Sequence, residues 1–295
     1  MRTVYPLSAL LVLAASAAAH GATDFDKTVP ALANGVVEIS NVSGRIDVSG
    51  WDRPEVAVHA ELGSGAERVD VTSEGNRTRI KVVLPSFSHG GSTDLKVQLP
   101  KGSELTVSAV SADVSASGVL GAQHLSAVSG NVSSELADHE VELKTVSGDV
   151  RLKGHGQGAR LRVTTVSGDV HLEHVAGDIE LGTVSGALTV TLDGAHSLRA
   201  HSTSGDLRFE GSLARGASVE ATTVSGALTV RANAAGGFRY EVSTFSGDIG
   251  DCFDEKAERT SRYGPGKTLQ GTRGDGAGEL RLKTMSGDLQ VCDHR

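Results

Sequence analysis

Apolar residues recur at every second position along most of this chain. Glu55-Val56-Ala57-Val58, Val69-Asp70-Val71, Arg79-Ile80-Lys81-Val82-Val83 and Asp94-Leu95-Lys96-Val97 alternate inside and outside residues. That is the period of a β-strand with one buried face, and the three-and-four spacing of an amphipathic helix is not what recurs. Gly- and Pro-bearing turns such as Gly63-Ser64-Gly65, Glu74-Gly75-Asn76 and Pro100-Lys101-Gly102-Ser103 separate these runs. The pattern predicts an all-β chain.

From about residue 101 the alternation is organised by a repeated phrase, Val-Ser-Gly-Asp-Val. Its copies centre on Gly130, Gly148, Gly168, Gly177, Gly186, Gly205, Gly226, Gly247 and Gly287, with weaker ones at Val42–Ile46 and Val110–Val114. The steps are mostly 18 to 21 residues, with a half-step of 9 between Gly168, Gly177 and Gly186. A phrase at a fixed interval means one unit stacked on itself. In Val166–Leu172, Val166, Val170 and Leu172 share one parity, and Glu173-His174 breaks it. Seven strand residues and two corner residues then make the half-step of nine, and residues one full period of 18–21 apart, such as Val146, Val166 and Val184, are expected to stack in consecutive coils. We therefore expect a single-stranded parallel β-solenoid (a β-helix) over 101–295, right-handed as crossovers between parallel strands are. The competitor is an antiparallel meander, which also gives frequent turn signals. No proline lies between Lys101 and Gly264, and stacked interior strands cannot spare the donor that proline lacks. A lone coil buries too few aliphatic side chains to offset its ordering entropy, so stability must come from stacking.

Two segments depart from the period. Residues 29–100 are expected to form a less regular, partly antiparallel β segment capping the array. Residues 253–280, rich in Gly and charge, are read as a loop insertion between the copies at Gly247 and Gly287. Cys252 and Cys292 each lie five residues after a repeat glycine. Equal phase in neighbouring coils places their backbones about 4.8 Å apart, within reach of a disulfide. A Cys252–Cys292 bridge stapling the C-terminal coil is the expectation.

Residues 1–22 read as a secretory signal: Arg2, an apolar run over Leu7–Ala15, then small residues with cleavage after Ala19 or Ala22. No other apolar run is long enough to span a membrane. Export to the periplasm is expected first, with the cell surface or secretion as alternatives, and an oxidising compartment suits the paired cysteines. The net charge of −8 disfavours nucleic acid as a partner. Aromatics are 3% of residues, so the core must be Val, Leu and Ile, and Trp51 alone makes no sugar-stacking platform.

The recurring Asp149, Asp169, Asp178, Asp206, Asp248 and Asp288 invite a Ca²⁺ column, which Asn131, Ala187 and Ala227 interrupt. The plainer reading is a shaped bend, with Gly taking a special backbone angle and Ser and Asp bonding local N–H groups. His171 and His174 make half a metal site with nothing nearby to complete it. Gly264-Pro265-Gly266-Lys267-Thr268 ends like a phosphate loop but lacks the earlier glycine and the strand-to-helix context. Arg273-Gly274-Asp275 is a short tripeptide match in a Gly-rich segment. No catalytic, cofactor or metal residues are assigned.

Val42-Ser43-Gly44-Arg45-Ile46 leading to Ser49-Gly50-Trp51-Asp52, the link Leu99-Pro100-Lys101-Gly102-Ser103 and the run of Val-Ser-Gly-Asp-Val copies resemble a bacterial family of exported β-strand-repeat proteins known as putative adhesins. The resemblance spans Gly35 to Cys292 and implies surface display and adhesion. The functional expectation is a non-enzymatic cell-envelope scaffold that binds an envelope protein or glycan or associates with itself. The alternatives are a β-helix polysaccharide lyase or hydrolase and a Ca²⁺-binding repeat protein.

Overall fold

The computed structural model describes residues 23–293 except 64, 86–90, 156–157, 254 and 262–263. The expected leader lies outside the described residues. Every regular element among them is a strand, and the strands join one mixed sheet.

The stacking unit is the full period that the spacing predicts, and the half-step of nine is only part of it. Val141 lies beside Gln123 on one side and Leu161 on the other, a full period away in each direction. One coil is thus two strands and two corners. Val141–Ser147 runs along one face, the chain turns at Gly148, and Val150–Lys153 runs along the second face. Both strands pair in parallel with their counterparts in the coils above and below. Leu143, Leu152, Leu161 and Leu172 point inward from the two faces and are at most 2% exposed. Each such burial stabilises by about 1.5–3 kcal/mol.

The first corner explains the repeated glycine. Gly148 has φ of +126°, and a Cβ there would lie 2.1 Å from the carbonyl oxygen of Gly130. A side chain is excluded twice, by the backbone angle and by the coil beneath. The same contact runs up a column: Gly130 on Ala112, Gly168 on Gly148, Gly186 on Gly168, Gly205 on Gly186 and Gly226 on Gly205. Gly177 does not belong to it. It lies beside Ala159 and Ala195 near the opposite corner, so the half-period of nine marks two different corners of one coil.

The order of coils in space departs from their order in sequence at both ends. Gly287 stacks on Gly226, and Gly247 stacks on Gly287. The final strands Gly278–Ser286 and Leu289–Cys292 are therefore inserted between the coil of 218–234 and the coil of 238–251. At the other end Val36–Trp51 pairs in parallel with Glu104–Ser117 on one side, and with Arg77–Val83 and Thr93–Pro100 on the other. Val36–Trp51 is thus a coil of the array, and the boundary expected at residue 100 does not mark where stacking begins.

Antiparallel strands close both ends: at the N-terminal end they match the partly antiparallel segment expected over 29–100, and at the far end they correct the purely parallel array expected over 101–295. Glu55–Leu62 pairs with Thr93–Pro100, Thr23–Pro30 with Glu55–Leu62, and Arg68–Glu74 with Arg77–Val83. Lys27 Nζ donates to Val71 O at 2.8 Å and Ser73 Oγ to Pro30 O at 3.0 Å, tying the two outermost strands together. At the far end Lys267–Thr272, read above as loop, runs antiparallel along Phe238–Ser246 and covers its edge. The two-residue strand Glu258–Arg259 then covers part of Lys267–Thr272. Short, antiparallel final strands blunt the edges on which a stacked sheet would otherwise keep growing.

Candidate functional site

The residue before each Ser-Gly corner is where the structure departs most from the alternation rule. In Val141–Ser147 the burial alternates to buried Thr145, exposed Val146 and exposed Ser147, and resumes with buried Val150. The glycine corner resets the parity. Val166, expected to share a side with Val170 and Leu172, faces solvent while they are buried. The same holds at every coil. Val42, Val110, Val128, Val146, Val166, Val184, Val224, Met285 and Phe245 are 40–59% exposed. The ladders set each beside the next, with Thr203 the one polar rung. At about 4.8 Å per rung the line is roughly 40 Å long. It widens at its C-terminal end, where the insertion of the last coil sets Met285 between Val224 and Phe245.

A buried hydroxyl column lies just behind this ridge. Thr145, Thr165 and Thr223 donate to the carbonyls of Ser147, Ser167 and Ser225 at 3.3–3.4 Å, and Thr244 to Gly287 O at 3.3 Å. These bonds hold the corner that presents the apolar residue. On the other flank lies the acid column. Asp113 Oδ1 accepts the Asn131 N–H, Asn131 Oδ1 that of Asp149, Asp149 Oδ1 that of Asp169, and Asp169 Oδ1 that of Ala187, at 2.8–3.2 Å. Asp206 serves Ala227 and Asp288 serves Asp248 in the same way. The side chains therefore link coils and do not, as expected, bond within one bend. Charge-assisted bonds to backbone N–H give each acid an architectural task.

The outer face beyond the ridge carries charges that alternate in sign from coil to coil. Glu142, Arg162, Glu180, Arg199 and Glu220 follow one another through the paired registers, then Arg281 and Glu241. Arg162 and Glu180 approach to 2.7 Å, and Arg281 and Glu241 to 3.6 Å. Lys144 donates to Glu142 at 2.7 Å, and its hydrogen bond holds the Glu142 carboxyl below the usual glutamate value. Opposite charges across a ladder favour one register over its neighbours.

The other candidates resolve into structure. His171 stands between Arg151 and Thr189 on an outer face, and exposed His174 takes the second corner with φ of 53°. Among the described residues no three His, Cys, Asp or Glu side chains converge on a metal position. In the phosphate-loop lookalike, Lys267 pairs with Asp248, and Gly266 O accepts the Thr260 N–H at 2.9 Å. In the Arg-Gly-Asp tripeptide, Arg273 pairs with Glu255 at 3.1 Å and stacks on Phe253, while Asp275 binds Arg215 at 2.7 Å. Tyr240 donates to Glu255 in the same cluster, and burial followed by that carboxylate pushes its phenol above the ordinary tyrosine value. These contacts lock the end cap. Cys252 and Cys292 are bonded, with Cα atoms 4.9 Å apart, and join the last coil to the one outside it. A groove of about 360 Å³ opens at the second corner beside Val119, Leu136, Leu161 and Val175. Its Glu135 Oε2 accepts the Gly118 N–H at 3.1 Å.

Residues 65–292, most of the array and its C-terminal closing end, match the Toastrack DUF4097 domain. The chain belongs to the Toastrack family. This is a family of the putative-adhesin kind that the repeat pattern resembles. Similar solved structures include a putative adhesin from Bacteroides fragilis, 11% identical, with a TM-score of 0.43, covering 91% of this chain and 97% of that one. Another is a putative adhesin from Parabacteroides distasonis, 9% identical, with a TM-score of 0.44, covering 91% and 97%. A putative lipid binding protein from the same species is 10% identical, with a TM-score of 0.37, covering 90% and 96%. Scores this low lend no weight to a functional argument. No curated protein matches the sequence. No helix among the described Toastrack residues is long and apolar enough to cross a membrane. The ridge is the first residue of the repeats that turn at the first corner, whereas Val175, which opens the Gly177 copy, is buried.

Proposed function

We propose that this Toastrack protein is a non-enzymatic, exported binding scaffold of the cell envelope, adhesin-like in using a long rigid face. The coil array is read as a right-handed solenoid whose job is to hold that face straight. The single observation behind this reading is the ridge. Apolar side chains that a folding chain normally buries stand half-exposed at the same corner of coil after coil, and an extended exposed apolar surface marks a contact site. The repeat positions around it are occupied by architectural bonds, so a partner meets the ridge without displacing them.

The test is retention of purified protein on isolated envelope fractions, wild type against a Val146→Asp, Val166→Asp double variant. Both positions face solvent, so folding is expected to be unchanged. Retention by wild type and loss in the variant supports the reading. Equal retention of both overturns it.

A further inference from the structure

We propose that the ridge is a self-association surface on which two copies pack in parallel, ridge against ridge, about a two-fold axis running along it. This rests on the binding reading above and names the partner. The repeat distance is the first argument. Apolar side chains spaced about 4.8 Å apart in a straight line match, rung for rung, only another stacked ladder, and a second copy carries the identical one.

The flanks supply the direction. One side of the ridge is the acid column of Asp113, Asp149, Asp169 and Asp206. Two residues before the ridge positions, the other side carries hydroxyls, lysines and one imidazole, Ser126, Lys144, Thr164, His201, Thr222 and Lys283, with Gly182 the exception. A two-fold axis along the ridge exchanges these flanks, so acids of one copy face hydroxyls and lysines of the other. A two-fold axis across the ridge would set acid column against acid column. Complementary flanks fix orientation even where they add little affinity.

The size of the surface sets the strength. Half-exposed aliphatic side chains along roughly 40 Å of ladder, with their neighbouring serines, bury on the order of 1,000 Å² in total, the low end for specific interfaces. Val224, Met285 and Phe245 gather the largest groups at one end and act as its anchor. The pair is therefore a weak dimer. Because each copy carries a net charge of −8, added salt screens repulsion and strengthens it.

Sedimentation at rising protein concentration, in low and moderate salt, tests this. The wild type is expected to shift from monomer to dimer mass, more readily in moderate salt. Val146→Asp with Val166→Asp, and separately Phe245→Asp with Met285→Asp, are expected to stay monomeric with an unchanged circular dichroism spectrum. Direction is read by single cysteines on the axis: Val110→Cys and Val224→Cys each cross-link to themselves in a parallel pair, whereas in an antiparallel pair neither does. A wild type that stays monomeric throughout, or ridge variants that keep the dimer mass, overturns the inference. If the wild type is monomeric yet its envelope retention still depends on the ridge, the pairing falls and the binding reading stands. If neither mass nor retention responds to the ridge, both fall.

Discussion

The middle of the array and its two ends are built from the same coil but assembled by different rules. Between Glu104 and Ala234 each coil rests on the one that precedes it in sequence. At the ends the first and last coils are interior: Val36–Trp51 and Gly278–Cys292 each lie between two coils, or a coil and a cap, that are not their sequence neighbours on both sides. The segments left outermost are those that carry antiparallel strands. The difference teaches that phase, not adjacency, selects a coil's neighbours. Any coil that offers a glycine corner, an acid at the following position and aliphatic inward positions fits on any other. A chain that ended on a free parallel coil would expose a strand edge ready to accept another. With Gly278–Cys292 folded inward, the array closes on short antiparallel strands instead.

The glycine column offers the sharpest break. Gly168→Ala would place a Cβ 2.2 Å from Gly148 O at φ of +125°. In the middle, with coils held on both sides, this is expected to cost more than ~3 kcal/mol and to lower the global melting temperature. Gly247→Ala meets Gly287 O at 2.1 Å but lies in the outermost coil, 238–251, which has a coil on one side only. Its cost is expected to appear as faster amide exchange in 238–292 with the main melting transition little changed. Gly182, with no atom within 4 Å of an added Cβ, is the control, and Gly182→Ala should be neutral or stabilising by up to ~1 kcal/mol. Equal global destabilisation by Gly168→Ala and Gly247→Ala would show that the ends are no weaker than the middle.

The disulfide is the next largest effect and belongs to one end. It joins residues 40 apart in sequence and pins the inserted coil to its outer neighbour. Cys252→Ser with Cys292→Ser is expected to lose about 2–4 kcal/mol, as for bridges of ordinary loop length. Limited proteolysis should then cut within 252–278 while leaving 104–234 intact. Unaltered resistance in that segment would mean the cap holds the inserted coil without the bridge.

Much of this could be read in the sequence, and the misreadings share a cause. The strands, the phase of the corner glycines and the common phase of Cys252 and Cys292 are local or periodic features, and alternation and spacing report them directly. What was missed depends on how the corner is built. Because Gly168 sits at positive φ, parity is not carried through it, so Val166 and Val170 point to opposite sides. Gly177 shares the phrase without joining the column, because one coil has two corners and glycine occurs at both. The inserted coil leaves a fainter trace. Glu220, Glu241 and Arg281 occupy one phase, and only the order Glu220, Arg281, Glu241 alternates their sign. Comparing charges at equal phase would have found it.

That charge order can be tested by itself. Arg281→Glu places three acids in successive coils and is expected to cost about 0.5–1 kcal/mol, because exposed charges interact weakly. Arg162→Glu, between Glu142 and Glu180 in the middle, is expected to cost the same. Adding Glu220→Arg to Arg281→Glu should recover part of the loss, since the two residues are paired across adjacent coils. Absence of any coupling between them in chemical denaturation would put the inserted coil elsewhere.

The smallest expected effect distinguishes the N-terminal end from everything else by pH. His59 Nδ1 lies 2.8 Å from Asp26 Oδ1, joining the outermost strand Thr23–Pro30 to its neighbour Glu55–Leu62. That hydrogen bond, opposed by desolvation and by Lys96 and aided by the charges of Asp26 and Asp24, raises the His59 pKa above its ordinary value. Glu61 lies 3.7 Å from the other ring nitrogen. A raised folded pKa means the contribution is fully present below the unfolded histidine value, about 6.5, and is lost as pH rises through the folded value. Amide exchange in Thr23–Pro30, corrected for the intrinsic pH dependence, is therefore expected to quicken across that rise while Val141–Ser147 stays unchanged. His59→Gln should remove the pH step without altering the middle coils. A step of equal size in both regions would assign it to the whole array, not to this closing strand.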